Sequence, residues 1–391
     1  MKRNVDVVRA FAAIVSAALF SVIFAVLASS CTENSSSQPT IEKKKNATLK
    51  LVVTGTPTAN NRAAGSVPAQ EDKINTLAVG IFDANDGSVN VVAECTVENN
   101  EVKDDILCSA GLCDVIVVAN APAGTFEGVQ TKTEFLQKTV ALSQTATSDV
   151  QTSDNLPMSG QTPNSIDFIA NTVNPVTVTL TRLVARISIE SIKTKFTAAN
   201  GNNNATFTLD KVFISNALST SRIAPGDATF TMPANPLWID GGHLASDDSW
   251  IPGEKYLLNE IGPVILSGEG TGEYNIPNWF YAFANNDQDH PTKVVIGGWY
   301  DPDGALGTTQ PTYVYYPIVV NQAQLGTEFE GAGKDEVHNG TIARNTEYRL
   351  RATIAKKGVT TPDEEISIAE MQLTVTVADW KLEMIQDVVI E

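Results

Sequence analysis

Apolar residues that return at every second position, between loops rich in Gly, Asn, Asp and Pro, commit this chain to a fold built from sheets. The alternation is cleanest at Thr48-Leu49-Lys50-Leu51-Val52-Val53. On a strand there, Leu49, Leu51 and Val53 share one face, and Thr48, Lys50 and Val52 share the other. Residues 54–70 follow, rich in Gly, Thr, Asn, Pro and Ala, with no hydrophobic face to bury. Such a stretch is expected to stay exposed and open to proteolysis. Its one basic residue is Arg62. A first strand on a cuttable tether is either an edge strand with a long connection, or a strand to be removed so that another chain's strand can take its slot.

The same texture continues downstream. Residues 73–82 read as a strand buried on at least one face, and the Asp83-Ala84-Asn85-Asp86-Gly87 turn with residues 88–97 completes a hairpin. Asp83, Asn85, Asp86 and Gly87 resemble the start of a calcium loop, but no glutamate follows at the required spacing, so they read as a turn. Residues 114–120 are nearly all apolar and read as a central strand. Residues 131–142 break the rhythm and predict a short helix. Strands are expected at 176–180 and 183–192, with Arg182 and Arg186 among them. Beyond a boundary near Thr181, strands at 206–214, 279–284, 293–300 and 312–320 precede a closing pair, 342–354 and 371–379. Many short strands between Gly and Pro turns predict an all-β, sandwich-type architecture, and a helical fold is not in contention.

With 391 residues, of which 42% are hydrophobic, the chain suits two domains after an export segment. It carries 27 Lys plus Arg against 45 acidic residues, a net charge of -18, which disfavours nucleic-acid binding through phosphate contacts. Lys2, Arg3 and Arg9 lead an apolar run over residues 11–27 that ends in Ala28-Ser29-Ser30-Cys31. This resembles a bacterial lipoprotein signal, 1–30, in which the lipidated Cys31 becomes the new N-terminus and 31–45 forms a polar tether. An uncleaved membrane anchor is the competing reading.

Cys95, Cys108 and Cys113 remain after Cys31. Cys95 and Cys108 flank the turn at Asn99 and Asn100, which leaves two readings open: a bridge across a hairpin, or unpaired buried thiols. Zinc is not expected, because His243, His290 and His338 lie in separate polar contexts. There is no nucleophile elbow, zinc-protease helix or phosphate loop, and the glycine-rich 267–272 reads as a turn. Asp247 with Asp248, and Asp287 with Asp289 beside His290, read as solvated loop carboxylates. The chain is therefore expected to be no enzyme and to hold no cofactor or metal.

Several segments together resemble the major fimbrillins of Bacteroidales bacteria, the shaft subunits of type V pili. They are Cys31, the first strand with Asn61-Arg62-Ala63, residues 73–82, Cys108-Ser109-Ala110-Gly111 and Val117-Val118-Ala119-Asn120. Leu183-Val184-Ala185-Arg186-Ile187, Tyr315-Tyr316-Pro317, Arg344-Asn345-Thr346-Glu347-Tyr348 and Val375-Thr376-Val377-Ala378-Asp379-Trp380 continue them in order. The resemblance implies two transthyretin-like β-sandwich domains, here 46–180 and 181–391. It implies an outer-membrane lipoprotein precursor that becomes a surface fimbrium supporting adhesion and biofilm formation. An arginine-specific surface protease would cut between Arg62 and Ala63, removing the strand 46–62. The C-terminal segment 381–391 of another copy, through Leu382, Met384, Ile385, Val388, Val389 and Ile390, would then fill the slot. Lys43-Lys44-Lys45 is a rival cleavage site, but cutting there leaves the strand in place.

The implied partners are other copies in a filament, accessory fimbrial subunits, the protease and, before processing, the outer membrane. Two other functions compete: an anchor, accessory or tip subunit of the same fold, and a surface carbohydrate-binding lipoprotein using Trp238, Trp250 or Trp299.

Overall fold

The computed structural model describes residues 45–55, 70–98, 101–142, 153–198, 203–223, 232–241, 243–244, 257–276, 278–304, 307–323, 327–331, 333–364 and 371–379. The fold is all-β, as the alternation requires.

The first sheet uses β1 (Ala47–Gly55), β2 (Leu77–Asp83), β3 (Val89–Cys95), β4 (Ile106–Cys108), β5 (Gly111–Ala119), β6 (Met158–Gln161) and β7 (Val173–Arg182). Its order is β3-β2-β5-β6-β7-β1-β4, with a short strand, Ile166–Phe168, added beside β5. The sheet encloses its own core. Leu49 and Leu51 of β1, Val176, Val178 and Leu180 of β7, and Val79, Ile81, Val115 and Val117 of β2 and β5 belong to one buried cluster. The expected hairpin is present, β2 pairing antiparallel with β3 around the Asp83–Gly87 turn. In that turn the Asp83 carboxylate accepts from the Asn85 amide at 2.9 Å, as in a simple Asx turn. Close approach of β6 to β7 requires Gly160, where a Cβ would run into the Thr179 carbonyl.

The expected helix is α1 (Lys132–Gln137), capped at Thr131, whose side chain accepts from the Glu134 amide at 3.2 Å. It forms because one residue, Phe135, has a deep pocket: its ring stacks on Phe126 at 4.2 Å and meets Phe82 edge-on at 5.4 Å.

At Leu183 the chain leaves the first sheet. The remaining long strands are β8 (Val184–Lys195), β9 (Thr206–Ser215), β10 (Leu258–Ser267), β11 (Glu269–Tyr274), β12 (Asn278–Phe283), β13 (Lys293–Asp301), β14 (Thr312–Val319), β15 (Thr327–Glu330), β16 (Thr346–Ile354) and β17 (Met371–Asp379). One sheet runs β11-β8-β16-β17-β15, with β12 also on β8, and the other runs β10-β9-β13-β14. Ile187, Leu350 and Val375 from the first of these share a core with Phe207, Ile296 and Tyr316 from the second. The predicted closing pair is β16 with β17, antiparallel from Thr346 opposite Asp379 to Ile354 opposite Met371. Of the glycine-rich residues 267–272, read as a turn, only Gly268, at positive φ, lies between β10 and β11, and 269–272 belong to β11.

Candidate functional site

β1 lies in a slot whose walls come from distant parts of the chain. It pairs in parallel with β7 from Thr48 opposite Val173 to Gly55 opposite Leu180, and antiparallel with β4 over Ala47, Thr48 and Leu49. A parallel neighbour cannot be reached by a tight turn, so β1 is joined to its partners by long connections. Its faces separate as the alternation predicts. Ala47, Leu49 and Leu51 are buried, Val53 packs against the same cluster, and Lys50 and Val52 are exposed. β7 offers the matching face, with Asn174, Val176, Val178 and Leu180 inward and Val173, Pro175, Thr177 and Thr179 outward. The entrance is fixed by Asn46. Its carbonyl accepts from the Asn171 amide at 2.6 Å, and its side-chain oxygen accepts from the Ala110 amide at 3.0 Å. Asn174 adds a bond to the Thr48 carbonyl at 3.2 Å.

Where the description resumes after residues 56–69, the chain is held tightly. Glu71 is 2% exposed, a rare state for a carboxylate, which must then be paired. Its two oxygens accept from Arg186 Nη1 at 2.9 and 2.8 Å, and one also accepts from the Tyr281 hydroxyl at 2.6 Å. Arg186 reaches Glu347 on its other side, Nη2 to Oε1 at 2.8 Å. Arg182 Nε donates to the Glu71 carbonyl at 3.0 Å, and its Nη1 donates to Asn345 Oδ1 at 3.2 Å. Burial opposes the charge on Arg186, but Glu71 and Glu347 outweigh it and hold its pKa above the usual value. Burial, reinforced by Glu71, drives the Tyr281 hydroxyl well above its ordinary range, so it remains a protonated donor. The cluster thus ties the segment after the loop to β8, β12 and β16.

A second post stands beside it. Asn120, buried and at positive φ, accepts from the Asn75 amide at 2.8 Å and donates to the carbonyls of Lys73 and Leu156, both at 2.8 Å. Asparagine tolerates this backbone better than most residues, which suits it to the position.

None of Cys95, Cys108 and Cys113 forms a disulfide. The hairpin between Cys95 and Cys108 exists, but its register sets Val97 opposite Val102 and Glu98 opposite Glu101. Continued outward, that register brings Asp104, not Cys108, opposite Cys95. Cys108 instead pairs with Ala47 of β1. Burial, with Asp104 adding to it, pushes the Cys95 thiol up to about 11. Burial, with Cys113 nearby, does the same for Cys108, also to about 11. Neither is an activated nucleophile.

His290 and Asp287 form a capped turn. The Asp287 carboxylate accepts from the Asp289 amide at 2.8 Å and lies 3.2 Å from His290 Nδ1. The His290 ring stacks on Trp238 at 5.0 Å. Trp299 is 47% exposed and meets Tyr313 edge-on at 5.1 Å. Cys31, Arg62, Ala63, Asp247, Asp248, Trp250 and the tail residues Leu382, Met384, Ile385, Val388, Val389 and Ile390 lie outside the described residues.

The buried cluster was not foreseen. One signal for it was in the sequence: the alternation through residues 173–186 puts Arg182 and Arg186 at inward positions, where a guanidinium needs an anion.

The family model described as major fimbrial subunit protein (FimA) matches residues 47–206. The chain is 24% identical over 401 aligned positions to the major fimbrium subunit FimA type-2 of Porphyromonas gingivalis, covering 92% of this chain and 95% of that protein. It also superposes on the crystal structure of a fimbrilin from Porphyromonas gingivalis W83 with a TM-score of 0.61 at 20% identity, covering 86% of this chain and 98% of that one. Residues 47–206, which hold β1, the strands of its slot and Glu71, thus match the major fimbrial subunit (FimA) family model, and the chain as a whole is similar to a major fimbrium subunit.

Proposed function

We propose that this chain is a structural subunit of a surface fimbria that assembles by exchanging β1 for a strand of another copy. The fimbrial role follows the family match and the likeness to the fimbrium subunit. The precursor would be exported as an outer-membrane lipoprotein through Cys31 and cut between Arg62 and Ala63, with no catalytic step of its own. Segment 381–391 of another copy would then enter the slot parallel to β7, repeating head to tail into an open fibre. Two sandwich domains, 46–180 and 181–391, would carry the two ends of this contact. The change of sheet at Leu183 supports that division.

The observation that carries the exchange is the make-up of the slot. β1 fills it with a contiguous apolar face, Ala47, Leu49, Leu51 and Val53, and is followed directly by a polar loop with a single arginine. Each leucine buried there contributes about 2–3 kcal/mol, so an empty slot has a strong tendency to take up another apolar strand.

Purified precursor treated with an arginine-specific protease should acquire an N-terminus at Ala63 and form oligomers on size-exclusion chromatography. Arg62→Ala should abolish both. Deleting residues 381–391 should leave the cut intact and block oligomers. Polymerisation that survives the deletion contradicts the exchange.

A further inference from the structure

β1 and the segment 70–76 flank the same loop, yet they are held in different ways. β1 is held by strand pairing and by one apolar face. Segment 70–76 carries, in addition to the buried Ile74, a charged side chain locked into the far sheet. Glu71 is gripped by Arg186 on β8 and Tyr281 on β12, and Arg186 is itself backed by Glu347 on β16. Its backbone carbonyl is gripped as well, by Arg182. Gln70, at positive φ, turns the chain sharply here, its carbonyl accepting from the Lys73 amide at 3.0 Å.

The two ends of the loop are also neighbours in the fold. Gly55 stands opposite Leu180, and Glu71 is bonded to Arg182, two residues further along β7. Without a strong hold on Glu71, a break between these points would free chain on both sides of it. A freed segment 70–76 would withdraw Ile74, which belongs to the same buried cluster as Leu49 and Leu51. The slot would then lose part of its own lining together with β1.

We propose that Glu71 is an anchoring residue that keeps the downstream side of the processing loop in place, so that cutting releases β1 and leaves the slot intact. This rests on the reading that the cut falls upstream of Glu71. The anchor works through geometry that a cut at Arg62 leaves untouched, since every group it uses lies at or beyond residue 71. Asn120 provides the second hold, on Lys73 and Asn75.

Lys73 reports on the anchor, because it is itself a trypsin site inside the held segment. Opening of that segment sets how fast a protease reaches it. Full-length precursor in detergent, digested briefly with trypsin and followed by N-terminal sequencing, should yield Ala63 and resist cleavage after Lys73. Glu71→Ala should speed the Lys73 cut at least tenfold, giving a new terminus at Ile74. Glu71→Gln, which retains acceptors for Arg186 and Tyr281, should fall between the two. Arg351→Ala breaks the ion pair to Glu330 on β15, outside the cluster, so it controls for general loosening and should leave Lys73 protected. Circular dichroism checks that each variant is folded, and Glu71→Gln serves should Glu71→Ala fail to fold. Equal Lys73 cleavage in wild type and both Glu71 variants overturns the anchor, as does an Arg351→Ala effect as large as that of Glu71→Ala. Absence of an Ala63 terminus in wild type overturns the reading of the cut instead, and the Lys73 ratio still judges the anchor.

Discussion

Arg186→Met should destabilise the protein by about 3–5 kcal/mol, because it leaves two buried carboxylates without their shared cation. Glu71 and Glu347 flank this guanidinium at 2.8 Å on either side, and Glu71, Arg186 and Glu347 are each no more than 3% exposed. Methionine fills similar space and offers neither carboxylate a donor. Urea unfolding followed by tryptophan fluorescence measures the loss. The triple variant Arg186→Met, Glu71→Gln, Glu347→Gln should recover a large part of it, since it buries no unpaired charge. Such non-additivity is the signature of a network, whereas independent surface pairs add and are worth little. A single Arg186→Met cost below about 1 kcal/mol would mean that the cluster is satisfied by water and holds nothing together.

Leu49→Asp in the precursor should expel β1 without any protease. Leu49 is fully buried between Asn174 of β7 and Ile106 of β4. The change forfeits about 2–3 kcal/mol of apolar burial and sets a carboxylate into a cluster that offers it no cation. β1 is the first strand among the described residues, so leaving the slot relieves that cost without unfolding the strands that follow. Hydrogen exchange should show lost protection in β1 and in β7 from Val176 to Leu180, while β8, β9 and β13 keep theirs. The uncut variant should also form the oligomers expected of processed protein. Val52→Asp is the matched control. Val52 faces outward at 47% exposure, and a charge there should change stability by less than about 0.5 kcal/mol. Loss of protection across all sheets in Leu49→Asp would show that β1 is integral to the fold and not a removable part.

What the sequence made legible, and what it did not, divides by range. The inward face of β1 was readable because the side-chain period of a strand is fixed at two, so Leu49, Leu51 and Val53 could be named without knowing their partners. The hairpin at Asp83–Gly87 was readable because its determinants lie within a few residues, and the helix from its break in the strand rhythm, while the pocket that holds Phe135 draws on the more distant Phe82 and Phe126. The partners of β1 were not. β7 lies more than a hundred residues away, and β4 comes from a run of residues that breaks at Gly111, where φ is +127, sending β4 beside β1 and β5 beside β2. The disulfide reading had the hairpin right and the register wrong, because a loop's flanks do not reveal how many residues it pairs. Arg182 and Arg186 were placed only among the strands at 176–180 and 183–192. Their partners Glu71, Tyr281, Asn345 and Glu347 sit in three distant segments that only the completed sheets bring together.

The one-sided apolar face of β1 is what the proposed exchange needs, and the buried network would hold the rest of the molecule in place if β1 were removed. The strand that would leave under the proposed exchange is fastened along one apolar face, while the chain from residue 70 onward is fastened through a buried network to the second half of the protein.

The most direct test of strand exchange is the mass and N-terminal sequence of the subunit recovered from assembled surface filaments. A chain that begins at Ala63, without Leu49, Leu51 and Val53, is the predicted result. A filament subunit that still begins at a lipid-bearing Cys31 and keeps its first strand would contradict the account.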